Sequence, residues 1–337
     1  MPFNITKQTK RGVFALAMGA CLLAQAPTTA NAANLKYTTQ MPQKNFQVQN
    51  ILAFSKCVAE KSDIKIDVYD SAQLYRDKEV PSAVSSGAVE FGMTTTERWA
   101  GTIPAIGIFN VPFALGDRDA VLKLLKPGAE FRTLLEEALV KTGVRPVYWM
   151  EYGTVIFMSK KDRPIRVPDD LKGMKVRTFG KTNGDFVNSL GGAATIMSGS
   201  EQFVAYQRGT VDAGMTGVAS FKSRKLDEVM NVITFTQHGH IYFPSVINEK
   251  VWQGLSGDQK SALKSCGNEA QASLHSQVEA AEAEAIAYAK SKGTEVIELS
   301  AEDLEKWREA GQPTVKEFAS HSGELGQKLL ELVEKAR

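Results

Sequence analysis

The chain has 337 residues, 43% of them hydrophobic and 23% charged, with a formal net charge of +2. That length is enough for two lobes with a core each, and no low-complexity tract or internal repeat breaks an ordinary globular composition. Near-balanced charge argues against nucleic acid, whose binding rests on clustered basic residues.

Residues 1–32 read as a secretory signal peptide. Lys7, Lys10 and Arg11 form its basic start, residues 12–26 its apolar run, and Ala30-Asn31-Ala32 its small-residue cleavage site. A lipoprotein box before Cys21 is the alternative, but Met18-Gly19-Ala20 fits it poorly. Cleavage after Ala32 would leave 305 of the 337 residues and, by removing three cations and no acid, turn +2 into −1. No later apolar run reaches the length of a membrane-spanning helix.

Strand and helix patterns then alternate. Residues 34–41 read as a strand ending near Gln40, 44–60 as an amphipathic helix, and 64–69 as a second strand. A helix over 80–86 stops at Gly87, and 87–93 reads as a buried strand running out into Thr94-Thr95-Thr96 and Glu97-Arg98-Trp99. Phe109-Asn110-Val111-Pro112-Phe113 reads as packing. A long apolar strand over 146–153 meets Gly153, a hinge-like glycine beside Glu151 and Tyr152.

The stretch from Lys160 to Thr216 carries the chemistry. Pro168 with Asp169 and Asp170 starts a helical turn, Gly173 ends it, and Met174 to Thr178 alternates as a short strand. Arg177 thus stands where a strand runs out, the place where open α/β sheets bind ligands. A guanidinium there can grip a carboxylate through two parallel charge-assisted hydrogen bonds, although a surface arginine has the same spacing. Ser256-Gly257-Asp258-Gln259 is a capping box opening a helix that stops at Gly293. At ~1.5 Å per residue that helix is roughly 50 Å long and must cross both lobes. Residues 296–299 and helices from Ser300 to Arg337 finish the packing.

Lys161 to Arg177, with Pro164-Ile165, Pro168, Asp170-Leu171-Lys172-Gly173, Lys175 and Arg177, resembles a motif of the DctP-like periplasmic solute-binding subunits of TRAP (tripartite ATP-independent periplasmic) transporters. Ser200-Glu201, Ala205, Gln207, Gly209, Val211 and Asp212 resemble that family's second motif in the right order. The resemblance implies an α/β, two-lobed periplasmic binding protein with a hinge, a central ligand cleft and a long helix spanning both lobes. Its expected division is a signal peptide over 1–32, lobe 1 over 33–152 completed by 242–285, and lobe 2 over 153–241 completed by 286–337. It implies capture of a small organic acid in the periplasm and its delivery to the membrane permease subunits. A periplasmic sensor feeding a receptor would use the same scaffold.

Arg177 is then expected to fix the ligand carboxylate, with Thr216, Gln40 and Thr95 in the polar shell. Arg98 holds a position that contacts ligand in relatives, though a salt bridge to Glu97 or Glu90 is equally open. Many relatives carry an arginine shortly after the hinge glycine, whereas Thr154-Val155-Ile156-Phe157 is neutral, so that second clamp is missing. Glu151 and Tyr152 are candidates to face the cleft instead, with a hinge salt bridge the bland reading for Glu151. Thr216 stands where the family has an asparagine, and Ser198-Gly199 is expected to leave one wall open. Gly214-Met215 cannot ligate a cation, and His238-Gly239-His240 reads as structural, so no metal and no cofactor are expected. Cys57 and Cys266 are expected to be two buried free thiols. The sequence has only four histidines and no G-x-S-x-G, G-x-G-x-x-G or P-loop, so an enzyme is not expected.

Overall fold

Regular alternation of strand and helix patterns along the chain is realised almost element for element in the structure, a computed structural model that describes residues 1–2 and 34–336. The expected leader and its cleavage point lie outside the described residues. The elements are β1 (Asn34–Thr38), α1 (Phe46–Lys61), β2 (Lys65–Tyr69), α2 (Val80–Ser86), β3 (Phe91–Met93), α3 (Arg118–Leu124), α4 (Glu130–Val140) and β4 (Val144–Ser159). Next come β5 (Lys175–Thr178), α5 (Lys181–Ser189), β6 (Ala193–Ile196), α6 (Gln202–Gln207), β7 (Ala213–Gly217), α7 (Val218–Ser223) and β8 (Val232–Phe235). The chain closes with β9 (His240–Asn248), α8 (Glu249–Gly254), α9 (Gly257–Ser291), β10 (Glu295–Glu298), α10 (Ala301–His321) and α11 (Gly323–Ala336).

Two sheets share one strand. The first runs β2-β1-β3-β9-β4, with β1 parallel to β2 and β3 and with β9 antiparallel to both β3 and β4. The second pairs the far end of β4 with β7 and β8, continues β7-β5-β6, and adds β10 beside β8. The 16 residues of β4 are long enough to serve both sheets, and the register slips between Glu151 and Gly153, where one sheet hands over to the other. Gly153 has φ +105°, and a Cβ there would run into the carboxylate of Glu282, so only glycine fits this bend. The hinge-like glycine of the sequence is therefore the point at which β4 changes sheets.

Burial follows the sequence periodicity. Tyr37, Phe54, Phe91 and Tyr148 are fully enclosed between the first sheet and the helices α1 and α9. Phe157, Phe186 and Trp307 do the same beneath the second sheet. The capping box forms as expected: Ser256 Oγ accepts from Gln259 N–H at 3.2 Å, and the Gln259 side chain accepts from Ser256 N–H at 2.9 Å. It starts a 35-residue helix whose early turns pack on α1 and whose late turns pack on α7 and β10.

Two expectations need correction. The strand expected over 87–93 is only Phe91–Met93, because Gly87 closes α2 in the left-handed region at φ +81°. Cys57 and Cys266 are not free thiols but a disulfide, since α1 lies directly on α9 and brings their Cα atoms to 5.8 Å. The final helix α11 packs on residues 104–110 and on α3.

Candidate functional site

Strand ends from both sheets converge on one small enclosed space. From the first sheet come Gln40 and Met41 beyond β1, Thr95 beyond β3, and Ile241 and Phe243 of β9. From the second come Arg177 and Phe179 at the end of β5, Thr216 in β7, Ser220 in α7 and Arg224 just past it. Gly199 and Gln202 close one side, and Tyr152 of the shared strand β4 forms part of the floor. The void between them is about 20 Å³, room for about one water molecule. Admitting an organic ligand therefore requires side chains or sheets to move.

Arg177 dominates the electrostatics. It is 2% exposed, and its two terminal nitrogens donate to backbone carbonyls of Met215 at 2.6 Å and Met197 at 3.0 Å. Its Nε is buried without a partner, and no carboxylate pairs with it among the described residues. Burial brings the guanidinium down to about 10, because carbonyl dipoles stabilise a buried cation less than water does. The ring of Phe179 lies 5.8 Å from the guanidinium carbon and supplies a polarisable face to the same charge. Such a group can receive an anion, since a buried charge is costly until it is paired.

Neighbouring polar atoms are similarly uncommitted. Both side-chain polar atoms of Gln202 and the Thr95 hydroxyl are buried without hydrogen bonds, which is rare for structural side chains. Tyr152 is more settled: its hydroxyl is 2.7 Å from Ser220 Oγ and accepts from Asn45 Nδ2 at 3.1 Å, while Phe46 stacks on its ring. Gly217 leaves the space that this ring occupies.

Of the seven residues singled out by sequence, five line the void: Gln40, Thr95, Tyr152, Arg177 and Thr216. Two do not. Arg98 donates from Nε to Asp77 at 2.9 Å and from Nη2 to the Met197 carbonyl at 3.1 Å, so it sits behind Arg177 with its charge matched. Its partner is Asp77 and neither Glu97 nor Glu90. Glu97 points the other way, accepting from the Thr182 N–H. Glu151 is fully buried in an ion cluster, 2.7 Å from Arg118 and 3.0 Å from His275. Burial pushes its carboxyl up, but His275 and Arg118 together hold it below the ordinary value, so it stays ionised as a structural acid.

The wall at Ser198-Gly199 is not open either. A Cβ at Gly199 would stand 2.7 Å from Gln40 Oε1 and 3.4 Å from an Arg224 nitrogen, so those two side chains fill the space that glycine leaves. Arg224 and Gln202 are the principal residues that sequence reasoning missed. Gln202 lies within the second motif and was legible as a neighbour of Ser200-Glu201. Arg224 sits in Lys222-Ser223-Arg224-Lys225, which looks like an ordinary solvated charge run. His238 is buried between Phe157 and Phe186, with ring centroids 5.4 Å from each. Burial brings it down to about 3, so it is a neutral packing residue. Among the described residues no group of three or more His, Cys, Asp or Glu could hold a metal ion.

Strand ends from two sheets, closing on an unpaired arginine under a long spanning helix, define the two-lobed class of solute-binding protein. Residues 37–321 match the model of the family described as bacterial extracellular solute-binding protein, family 7 (DctP). The chain belongs to that family. It is 27% identical over 263 residues to the C4-dicarboxylate-binding periplasmic protein DctP of Rhodobacter capsulatus, covering 77% of this chain and 78% of that one. It is 28% identical over 310 residues to the sialic acid-binding periplasmic protein SiaP of Vibrio cholerae, covering 90% and 94%. Among solved structures, a sugar acid binding protein of Advenella mimigardefordensis in complex with galactonate superposes with a TM-score of 0.85 at 24% identity, over 90% of this chain and 98% of that one. A TRAP periplasmic solute binding protein of Sulfurospirillum deleyianum with bound succinate gives 0.83 at 23%, over 91% and 99%. The fold is the mixed α/β, two-lobed one of these proteins.

Proposed function

We propose that this chain is the periplasmic subunit of a TRAP transporter that captures a small organic anion between its lobes and hands it to the membrane permease. The observation that carries the reading is Arg177, a buried guanidinium bonded only to carbonyls, with an unpartnered Nε on the wall of the enclosed space. The two sheets correspond to the lobes, β4 crosses between them, and Gly153 is the hinge. Lobe 1 takes 33–152 with 242–285, lobe 2 takes 153–241 with residues from 286 onward, and α11 goes with lobe 1 by its packing. The ligand carboxylate bonds Arg177 in a bidentate way, while Thr216, Gln40, Thr95 and Gln202 satisfy its remaining oxygens and hydroxyls.

Breaking a desolvated charge pair of this kind costs ~2–5 kcal/mol, whereas ~1 μM affinity needs about −8 kcal/mol in total. Closure over Phe179, Ile241 and Phe243 contributes the remainder. Among the described residues no nucleophile–base pair adjoins the void, which supports capture without turnover. A thermal-shift screen of the purified mature protein over organic acids, followed by calorimetry on the best ligand and mass analysis of the recovered ligand, tests this. The expected result is saturable binding of a carboxylate that is recovered unchanged. Recovery of a converted product would replace transport with catalysis, and binding confined to uncharged solutes would remove Arg177 from the centre of the site.

A further inference from the structure

One backbone carbonyl is shared by two arginines that come from different sheets. Arg177, at the end of β5, donates to the Met197 carbonyl at 3.0 Å, and Arg98, beyond β3, donates to the same oxygen at 3.1 Å. A carbonyl has two lone pairs, so both bonds form at once. The Arg98 side chain is 8% exposed and is held through its Nε by the fully buried Asp77 at 2.9 Å. Asp77 is fixed in turn, because the Thr94 hydroxyl, just past β3, donates to its carbonyl at 2.9 Å. Met197 belongs to the second sheet, through its N–H on the Thr178 carbonyl at 3.2 Å. The turn it opens carries Gly199 and Gln202 to the wall of the void. That turn is tied a second time: Glu201 accepts from Ser198 N–H at 3.0 Å and from Arg76, the neighbour of Asp77, at 2.9 Å. The outer tie is exposed and weak, whereas the inner one is desolvated.

We infer that Asp77 and Arg98 form a positioning latch, which docks on the Met197 carbonyl as the lobes close and fixes the 197–201 turn and the Arg177 fork around a bound anion. This rests on Arg177 being the partner of the ligand carboxylate. Arg98 does not touch the ligand; it acts through Met197 and Arg177. With the lobes parted, Arg177 keeps both its carbonyls, since Met197 and Met215 lie on its own sheet, whereas Arg98 keeps only Asp77. Closure therefore adds one charge-assisted bond between the sheets, and departure of the ligand must break it. The charges make the latch conditional on an anion. Arg177 and Arg98 set two cations on one oxygen, and Asp77 offsets one of them. After burial itself, Arg98 adds to what brings the Arg177 guanidinium down, and Asp77 opposes it. A carboxylate on Arg177 offsets the remaining charge, so docking of Arg98 costs least when an anion is bound. Because the contact forms after the anion has entered, it slows the anion's departure and leaves its entry alone.

The test is stopped-flow binding to the mature protein, followed by tryptophan fluorescence, the probe being whichever of acetate, succinate and gluconate most raises the parent's melting temperature. Arg98→Gln should speed dissociation about tenfold or more, the worth of one charge-assisted bond, with association kept within about twofold. Glutamine leaves Asp77 buried without its cation, so Asp77→Asn combined with Arg98→Gln is the companion variant. It removes both charges, should melt like the parent without probe, and should release the probe as fast as the single variant. Arg98→Lys keeps a cation beside Asp77 and should recover part of the slow release. A purely structural role for Arg98 would lower the melting temperature without separating the two rates. Parental dissociation from the folded double variant, or a loss carried by association alone, would overturn the latch. Arg177→Ala on the same probe then still reports whether Arg177 holds the carboxylate. If none of the three acids binds the parent, or Arg177→Ala binds like the parent, the reading of Arg177 falls and the latch with it.

Discussion

Glu97, beyond β3 of the first sheet, accepts a hydrogen bond from the backbone N–H of Thr182 in the first turn of α5 at 3.0 Å. This bond joins two elements attached to different sheets. Gly180 makes it possible, because a Cβ there would occupy the space of the Glu97 side chain. Burial pushes the Glu97 carboxyl up to about 7, despite the opposing bonds from Thr182.

The sign of the consequence follows from that direction. A folded value above the ordinary 4.5 means that the fold favours the protonated acid, so the stabilisation is full below about 4.5 and declines as the pH rises to about 7. The melting temperature of the parent minus that of Glu97→Gln should fall between pH 5 and 7 and stay constant beyond. Parallel pH profiles for the two proteins would show that Glu97 titrates normally.

Arg177 is a charge the fold tolerates without needing it. Arg177→Ala and Arg177→Lys should both abolish carboxylate binding, because lysine keeps the charge and loses the planar fork. Arg177→Met should melt at or above the parent temperature, since it removes a buried unpaired cation while preserving volume. Calorimetry beside melting curves decides it: a folded Arg177→Ala that binds like the parent moves the carboxylate elsewhere. Thr216→Val should cost less, ~1 kcal/mol for one hydrogen bond.

The Cys57–Cys266 bridge closes a loop of 209 residues. Constraining the unfolded chain in this way stabilises by ~2–4 kcal/mol. Reduction of the parent, or Cys57→Ala with Cys266→Ala, should lower the melting temperature by several degrees with ligand affinity kept. An unchanged melting curve after demonstrated reduction would contradict this.

Gly214 and Met215 offer no ligating side chain, and a Cβ at 214 would fall on the Tyr206 hydroxyl. Ligand affinity should therefore be the same before and after exhaustive chelation. A loss in EDTA that calcium restores would reveal a cation in the site.

Much of this was legible because local rules act locally. The capping box at Ser256, the stop at Gly293 and the strand end at Arg177 are set by neighbours within a turn or two, and each stands where expected. What escaped depends on which remote surfaces meet. Nothing within a few residues of Cys57 reveals that its helix lies on Cys266, or that Arg98 reaches back 21 residues to Asp77. Arg224 escaped for a different reason: a cation just past a short helix looks the same to pattern reasoning whether it points to water or across a cleft. Only its contacts with Gln40 and Met41 distinguish the two.

The long helix α9 is tethered at two places to two different sheets. Its early part is held by the bridge at Cys266, by Asn50 donating to the Ala270 carbonyl at 2.8 Å, and by Arg118 donating to the His275 carbonyl at 2.6 Å. Its later part is held by Glu282, which accepts from Thr154, and by Ala285 and Ala289 packed against Ile156 and Met158. The span from 275 to 282 is a couple of turns, ~10 Å at ~1.5 Å per residue, and carries the buried Val278 and Glu279, which pairs with Arg118 at 3.0 Å. On the proposed opening of the lobes, parting of the sheets would flex that span, and α9 would act as a leaf spring clamped at both ends. Amide exchange over residues 276–281 would register the flexing directly, slowing when a ligand holds the jaws closed.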